Sequence, residues 1–359
     1  MSNIKIFGPD HYVPMLKVKR GEKKALQAVP EDLKAKMTPL LEIVERRHEK
    51  SPTVQHHLDK AFTDLPSAVL GYPRCLIDVH EMAQDGPKAA EGAFRRAAAS
   101  GMVFTPVTGI SRQVDVAAAF DHRENGLAIR LTREEFEGGR LAKTLEQFVA
   151  EHSLANEDVD LIVDLGPVDD LVLPGVIAFA GAFLDEVPRP SEWRTLTLSG
   201  SAFPSSMGGV GRQSHLNAER AEWKAWRDDL FARRTELQRL PTYSDFGIQH
   251  PTGVEGFDPR TMQVSACIRY TLTDDWLLIK GESTRATPAT EQFPDLATQL
   301  VYGHLRRDFA GSDHCPGCRS IKAAADGWPR LGSLEAWRRL GTIHHLTTVA
   351  EALAALPWP

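Results

Sequence analysis

Cysteine is scarce in this chain. Four residues in 359 leave no framework of disulfides for a small stapled fold, and none is expected. Cys75 and Cys267 stand in apolar, strand-like contexts as small hydrophobes, so Cys315 and Cys318 form the one close pair. No run approaches the roughly 20 apolar residues that a membrane span needs, and the opening MSNIKIFGPD lacks the charged-then-apolar design of a secretory leader. A cytoplasmic protein with no membrane attachment is the expectation. Charge of one sign does not dominate either, since 42 Lys and Arg stand against 48 Asp and Glu for a net −6. That offers no global footprint for a polyanion, and a nucleic acid would have to be met by a local patch. An internal repeat, a low-complexity tract and a Walker-type GK[ST] are also absent.

What the chain does have is cadence. Short β-branched or apolar runs at residues 11–17, 38–42, 74–78, 102–108, 127–130, 160–164, 195–199 and 242–245 each end on a polar residue. Between them lie helical patterns at 22–37, 54–65, 87–99, 114–120, 134–152, 168–184 and 218–233, with apolar residues three and four apart. Strand alternating with helix is the pattern of βαβ units, and parallel strands covered by helices read as nearly continuous apolar runs. The fold class is therefore α/β, a (β/α)8 TIM-like barrel over residues 1–258. About 250 residues is a typical length for such a barrel. Residues 259–359 read as a C-terminal β-hairpin plus helical appendage: runs at 264–271 and 276–280 leave no room for a crossover helix. A final helix spans 334–356, broken around Gly341.

The polar terminators say where chemistry belongs, because barrel enzymes work at the carboxyl ends of their strands. Lys17, Glu42, Asp78, Arg130, Asp164 and Asp245, with Lys19 beside the first, should converge on one mouth as the catalytic candidates. Carboxylates gathered there can hold Mg²⁺ or Mn²⁺ through oxygen, and cations can neutralise phosphate. The bland alternative is buried ion pairing. Asp78-Val79-His80-Glu81 also resembles a metal motif, but a solvent-facing His80 is the simpler reading.

Several short motifs carry a family likeness: Tyr12-Val13-Pro14-Met15-Leu16-Lys17 with Lys19-Arg20-Gly21-Glu22, Pro39-Leu40-Leu41-Glu42, Ser199-Gly200-Ser201-Ala202-Phe203-Pro204, Ser244-Asp245-Phe246-Gly247-Ile248, Ile268-Arg269-Tyr270-Thr271, and His314-Cys315-Pro316-Gly317-Cys318 with Trp337-Arg338 and His344-His345. In these the chain resembles the phage-type beta protein family of bacteria and their phages. The resemblance spans nearly the whole chain. It implies relatives in mobile-element and phage-defence settings and no particular reaction.

Two further constellations stand out. The Ser- and Gly-rich segment 199–212 follows the seventh strand, where barrels commonly build phosphate sites. Ser199, Ser201 and Arg212, with Arg269 and Lys280 of the hairpin, are the substrate-binding candidates. Cys315 and Cys318 with His314 and His344 could supply four tetrahedral zinc ligands. A structural cap or a redox pair are the alternatives, and the adjacency of His344 and His345 prevents both from facing one ion easily.

The expectation is an enzyme of a phage-defence setting, acting at the barrel mouth on a phosphate-containing substrate such as a nucleotide or nucleic acid. Metal-assisted phosphoester hydrolysis is the expected reaction. The alternative is a non-catalytic sensor or effector subunit of an antiviral system, binding a phage protein, a nucleotide signal or a defence-system partner protein.

Overall fold

The computed structural model describes residues 6–253, 264–328 and 331–358. Eight parallel strands close into a barrel: β1 (Tyr12–Lys17), β2 (Leu40–Glu42), β3 (Cys75–Asp78), β4 (Phe104–Thr108), β5 (Leu127–Leu131), β6 (Val159–Pro167), β7 (Thr195–Ser201) and, after an insertion, β9 (Thr242–Asp245), which pairs with both β7 and β1. Each overlaps one of the eight runs read from the sequence. The (β/α)8 barrel is thus the observed fold.

Side chains alternate across each strand, and the barrel sorts them by parity. Val13, Met15, Leu40, Leu76, Val107, Ala128, Ile162 and Phe246 pack with Phe7 as a separate apolar filling inside the barrel. Full burial of each such aliphatic side chain contributes about 1.5–3 kcal/mol. The opposite parity, including Leu41, Ile77, Ile129, Leu161 and Val163, faces the surrounding helices. At the amino end of the barrel Asp160 is wholly buried. It accepts hydrogen bonds from Arg74 Nη2 (3.0 Å), Arg194 Nε (3.0 Å) and Nη2 (2.8 Å) and Thr195 Oγ1 (2.8 Å).

The appendage is larger than a hairpin. β10 (Ser265–Thr271) and β11 (Asp275–Ser283) pair antiparallel as expected, but β11 also pairs with β8 (Ser214–Glu219), contributed from between β7 and β9. This strand falls between the Ser- and Gly-rich segment 199–212 and the helical pattern at 218–233, and being polar and exposed it carries no apolar alternation to reveal it. One face of this three-stranded sheet, with Trp276 and Leu278, joins the barrel's outer core. The other, with Ile268, Tyr270, Leu277 and Ile279, packs on helices Ala289–Val301, Pro316–Ala325 and Leu334–Ala354. The expected domain boundary at 258/259 lies outside the described residues.

The final helix runs unbroken through Gly341, against expectation. A Cβ there would sit 2.5 Å from the Arg269 carbonyl oxygen, so the glycine permits close approach of helix and sheet. Gly317 does the same where its helix meets the Leu340 carbonyl, also at 2.5 Å. Among the described residues no helix is long and apolar enough to cross a membrane.

Candidate active site at the barrel mouth

Lys17, Glu42 and Asp78 end β1, β2 and β3 in one register row, Lys17 opposite Glu42 and Glu42 opposite Asp78. All three have inward parity, as do Arg130 of β5 and Asp164 of β6. They converge on a single guanidinium. Arg130 Nη1 donates to Glu42 Oε1 and Asp78 Oδ2, both at 2.8 Å, while Nε and Nη2 donate to Asp164 Oδ2 at 2.8 and 2.6 Å. Phe246 lies under the guanidinium, its ring centre 5.9 Å away.

Loops complete the ring. Arg112, from the β4 loop, donates to Asp78 Oδ1 at 2.7 Å, and Lys17 pairs with Glu81 of the β3 loop. Backbone amides of His80 and Gly166 donate to Asp78 Oδ1, beside Arg112, and to Asp164 Oδ1, both at 2.9 Å. Glu45 N donates to Glu81 Oε2 at 3.1 Å, and Arg46 Nε to Asp85 Oδ1 at 2.8 Å, which stitches the β2 loop to the β3 loop. The His80 side chain itself is exposed, as the simpler reading had it.

Burial and charge then divide the carboxylates. Burial opposes ionisation of Asp78, but Arg112 and Arg130 overcome it and hold the group well below the usual carboxylate range. For Glu42 burial wins over Arg130 and Lys17 and its pKa is raised. Arg130, despite burial, is pushed well above its ordinary value by Asp164, Glu42 and Asp78. Asp115, which accepts from Thr108 Oγ1, is pushed up to about 6 by burial. Lys17, Glu42, Asp78, Arg112, Arg130 and Asp164 are each at most 8 % exposed, so the ring is screened from bulk solvent. Two of its buried atoms, Glu42 Oε2 and Arg112 Nη2, have no hydrogen-bond partner among the described residues.

Two catalytic candidates lie elsewhere. Lys19 is exposed at the residue before helix Arg20–Ala28. Asp245 has the opposite parity from Ser244 and Phe246 and points outward, away from the mouth. There it accepts from Tyr12 Oη (2.6 Å), Tyr243 Oη (3.0 Å), Gly247 N (2.9 Å) and His345 Nε2 (3.0 Å), across the seam where β9 meets β1. Burial opposes its charge, but His345, Arg220 and Tyr12 pull its pKa to about 2. Strand position predicted its height correctly and its direction wrongly, because the side-chain period is two.

The substrate-binding candidates are not brought together. Ser199 and Ser201 are buried within β7. Arg269 donates to the Ile248 carbonyl at 2.7 Å and stacks on Phe203, and Lys280 donates to the Met207 and Val210 carbonyls at 2.7 and 2.8 Å. Both cations hold loops in place instead of facing an anion. Arg212 is exposed. The cavity of about 250 Å³ beside this loop is lined by Asp169, Ser205, Ser206 and Glu219 among apolar residues, with no basic side chain among the described residues.

Cys315, Cys318, His344 and His314 do come together, about the start of helix Pro316–Ala325. Cys318 Sγ and Cys315 Sγ lie 3.3 and 4.0 Å from His344 Nδ1. Ligand atoms of His314, Cys315 and His344 are all within 4.8 Å of one another. The neighbouring His345 turns to Asp245, so the adjacent histidines serve different sites.

Sequence reasoning missed Arg112 as a member of the ring and gave Glu81 no role there. Both sit in loops beyond the strand ends, and only the folded path brings them back. Of the known proteins compared with this chain, the family described as Beta protein matches residues 12–351. No curated protein matches. Among solved structures, triosephosphate isomerase from Bartonella henselae is 13% identical, with a TM-score of 0.27, over 66% of this chain and 91% of that one. The YdjI aldolase from Escherichia coli K12 is 10% identical, with a TM-score of 0.26, over 93% and 92%.

Proposed function

Given that the chain belongs to the Beta protein family, we propose that it is an enzyme of the phage-defence setting that this membership suggests, hydrolysing a phosphate ester at the barrel mouth. One observation carries this reading. The barrel has a buried ion network at each end, and they differ in completeness. At the amino end both Asp160 oxygens are engaged, and among the described residues of that network only Arg74 Nε lacks a partner. At the mouth a carboxylate oxygen, Glu42 Oε2, and a guanidinium nitrogen, Arg112 Nη2, are both left open around the same Asp78–Arg130 pair. An acceptor and a cationic donor held ready together are what a phosphate ester and its attacking water require.

In this mechanism Arg112 and Lys17 hold the phosphate oxygens, while Glu42, its pKa raised by burial, takes a proton from the attacking water. The water oxygen bonds to phosphorus, the ester oxygen leaves, and the proton ends on that leaving group. Asp78 and Asp164 orient Arg130, and through it Glu42. Mg²⁺ or Mn²⁺ would bind the same three carboxylates, whose oxygens already go to Arg130, so a divalent ion has to compete with that guanidinium. The near-complete burial of the ring favours the second reading, a non-catalytic sensor whose mouth opens only for a partner protein or nucleotide signal.

The test is a screen of nucleoside triphosphates, cyclic dinucleotides and short single-stranded RNA and DNA, with and without Mg²⁺ or Mn²⁺. Glu42→Gln should lower turnover by about 10²–10⁴-fold while leaving the melting temperature nearly unchanged. No turnover by wild type, together with a strongly lowered melting temperature for Glu42→Gln, would make the ring structural and favour the sensor.

A further inference from the structure

We propose that Cys315, Cys318, His344 and His314 bind one zinc ion in a closed structural site that fastens the C-terminal helices to the sheet on the barrel's flank. The donor set is two thiols and two imidazoles, the chemistry that tetrahedral zinc selects. Zn–S and Zn–N bonds of about 2.3 and 2.0 Å place sulfur and nitrogen about 3.5 Å apart in a tetrahedron. The observed separations from His344 Nδ1, 3.3 and 4.0 Å, bracket that value.

The tautomers agree with this. His344 Nε2 lies 2.8 Å from the Thr271 carbonyl oxygen, which can only accept, so Nε2 carries the proton and Nδ1 presents its lone pair to the sulfurs. His314 Nδ1 faces the Glu351 carboxylate at 3.3 Å, and its Nε2, the ligand atom, lies 3.0 Å from the Thr348 hydroxyl, whose place the ion would take. Both histidines thus have the outer partner that zinc-binding imidazoles use to fix ring orientation. Tyr270 stacks on His344 with ring centres 3.8 Å apart, and Cys318 N donates to Cys315 Sγ at 3.2 Å, the kind of bond that stabilises a thiolate.

Burial separates a structural site from a redox pair. Cys315 and Cys318 are 2 % and 0 % exposed, so an incoming disulfide has no line of approach to either sulfur. Four protein ligands also leave no open position for substrate. The ion would tie together the loop before helix Pro316–Ala325, that helix, helix Leu334–Ala354 and, through Thr271, the end of β10. His345, next to His344, would then be held in the orientation that meets Asp245 at the barrel seam.

Metal analysis of untagged full-length protein purified without chelator should find about one zinc per chain. Cys318→Ser and the Cys315→Ser/Cys318→Ser pair should lose most of it, while Cys267→Ser, outside the cluster, keeps it. Exchange for Co²⁺ should give the intense visible bands of a tetrahedral ion together with thiolate charge transfer. Titrating the thiols of wild type should release the zinc and lower the melting temperature. Well-folded wild type with less than about a tenth of an equivalent, and no thiolate charge transfer on adding Co²⁺, overturns the proposal. So does intact mass showing a Cys315–Cys318 disulfide. Both readouts need only wild type, so a variant that fails to fold does not shield the proposal.

Discussion

Replacing Arg130 with Met removes the one group that engages Glu42, Asp78 and Asp164 at once, while keeping an unbranched side chain of comparable reach. Removing one partner of a buried ion pair typically costs about 3–5 kcal/mol, because the other charge stays buried and uncompensated. Here three carboxylates are left, so the upper end of that range is expected at neutral pH. The pH dependence gives the reasoning a sharper edge. In wild type the folded pKa of Asp78 lies below the unfolded value, so its contribution is present above about pH 4 and is lost as the pH falls through the folded pKa. In Arg130→Met burial acts on Glu42 without its guanidinium, which lifts a pKa already raised in wild type further above that of the unfolded chain. Its cost then grows as the pH rises. The gap between wild type and variant should therefore be narrow near pH 4.5 and widest near pH 8, read from urea midpoints by tryptophan fluorescence. Arg130→Lys keeps the charge but not the fork and should fall between them. A loss under about 1 kcal/mol at pH 8, or one constant across the range, would refute the account of the ring as one shared cation among three acids.

Two further outcomes follow from groups outside the ring. Glu222, beside the seam, is raised to about 7 by burial, with Asp245 adding to the effect, so its contribution to stability is present below the unfolded value near 4.5 and is lost as the pH rises through 7. Glu222→Gln should therefore match wild type near pH 4 and exceed it above pH 7 by up to about 3 kcal/mol, and a gain independent of pH contradicts the assignment. Asp160→Asn should cost about 3–5 kcal/mol in a denaturant titration while leaving turnover per folded molecule intact, the reverse of Glu42→Gln. Equal losses of activity at the two ends would mean that the mouth holds no special chemistry.

The fold was legible because its signal repeats. Eight apolar runs, with helical stretches in the seven intervals between them, leave few topologies other than a barrel, and each run overlaps an observed strand. β8 was not legible, since its burial pattern is exposed almost throughout and it is held in the sheet by pairing with β11. The candidate site was legible in part and for a definable reason. A polar residue at a strand end fixes a height on the barrel, and parity about the strand fixes its direction; Lys17, Glu42, Asp78, Arg130 and Asp164 share the inward parity, and Asp245 does not. That parity can be read from sequence by counting in twos from the interior apolar residues, from Val13 and Met15 to Lys17, or from Leu76 to Asp78. The same count places Tyr12 and Asp245 together on the outside, where they meet His345. Arg112 answers to no such rule, because its place depends on a loop path that strand arithmetic does not reach. Yet Arg112 is the residue that, with Arg130, keeps Asp78 ionised, and its open Nη2 is half of the observation on which the catalytic reading rests. Strand arithmetic therefore finds the frame of this mouth, and the loops supply the part of it that a substrate would meet first.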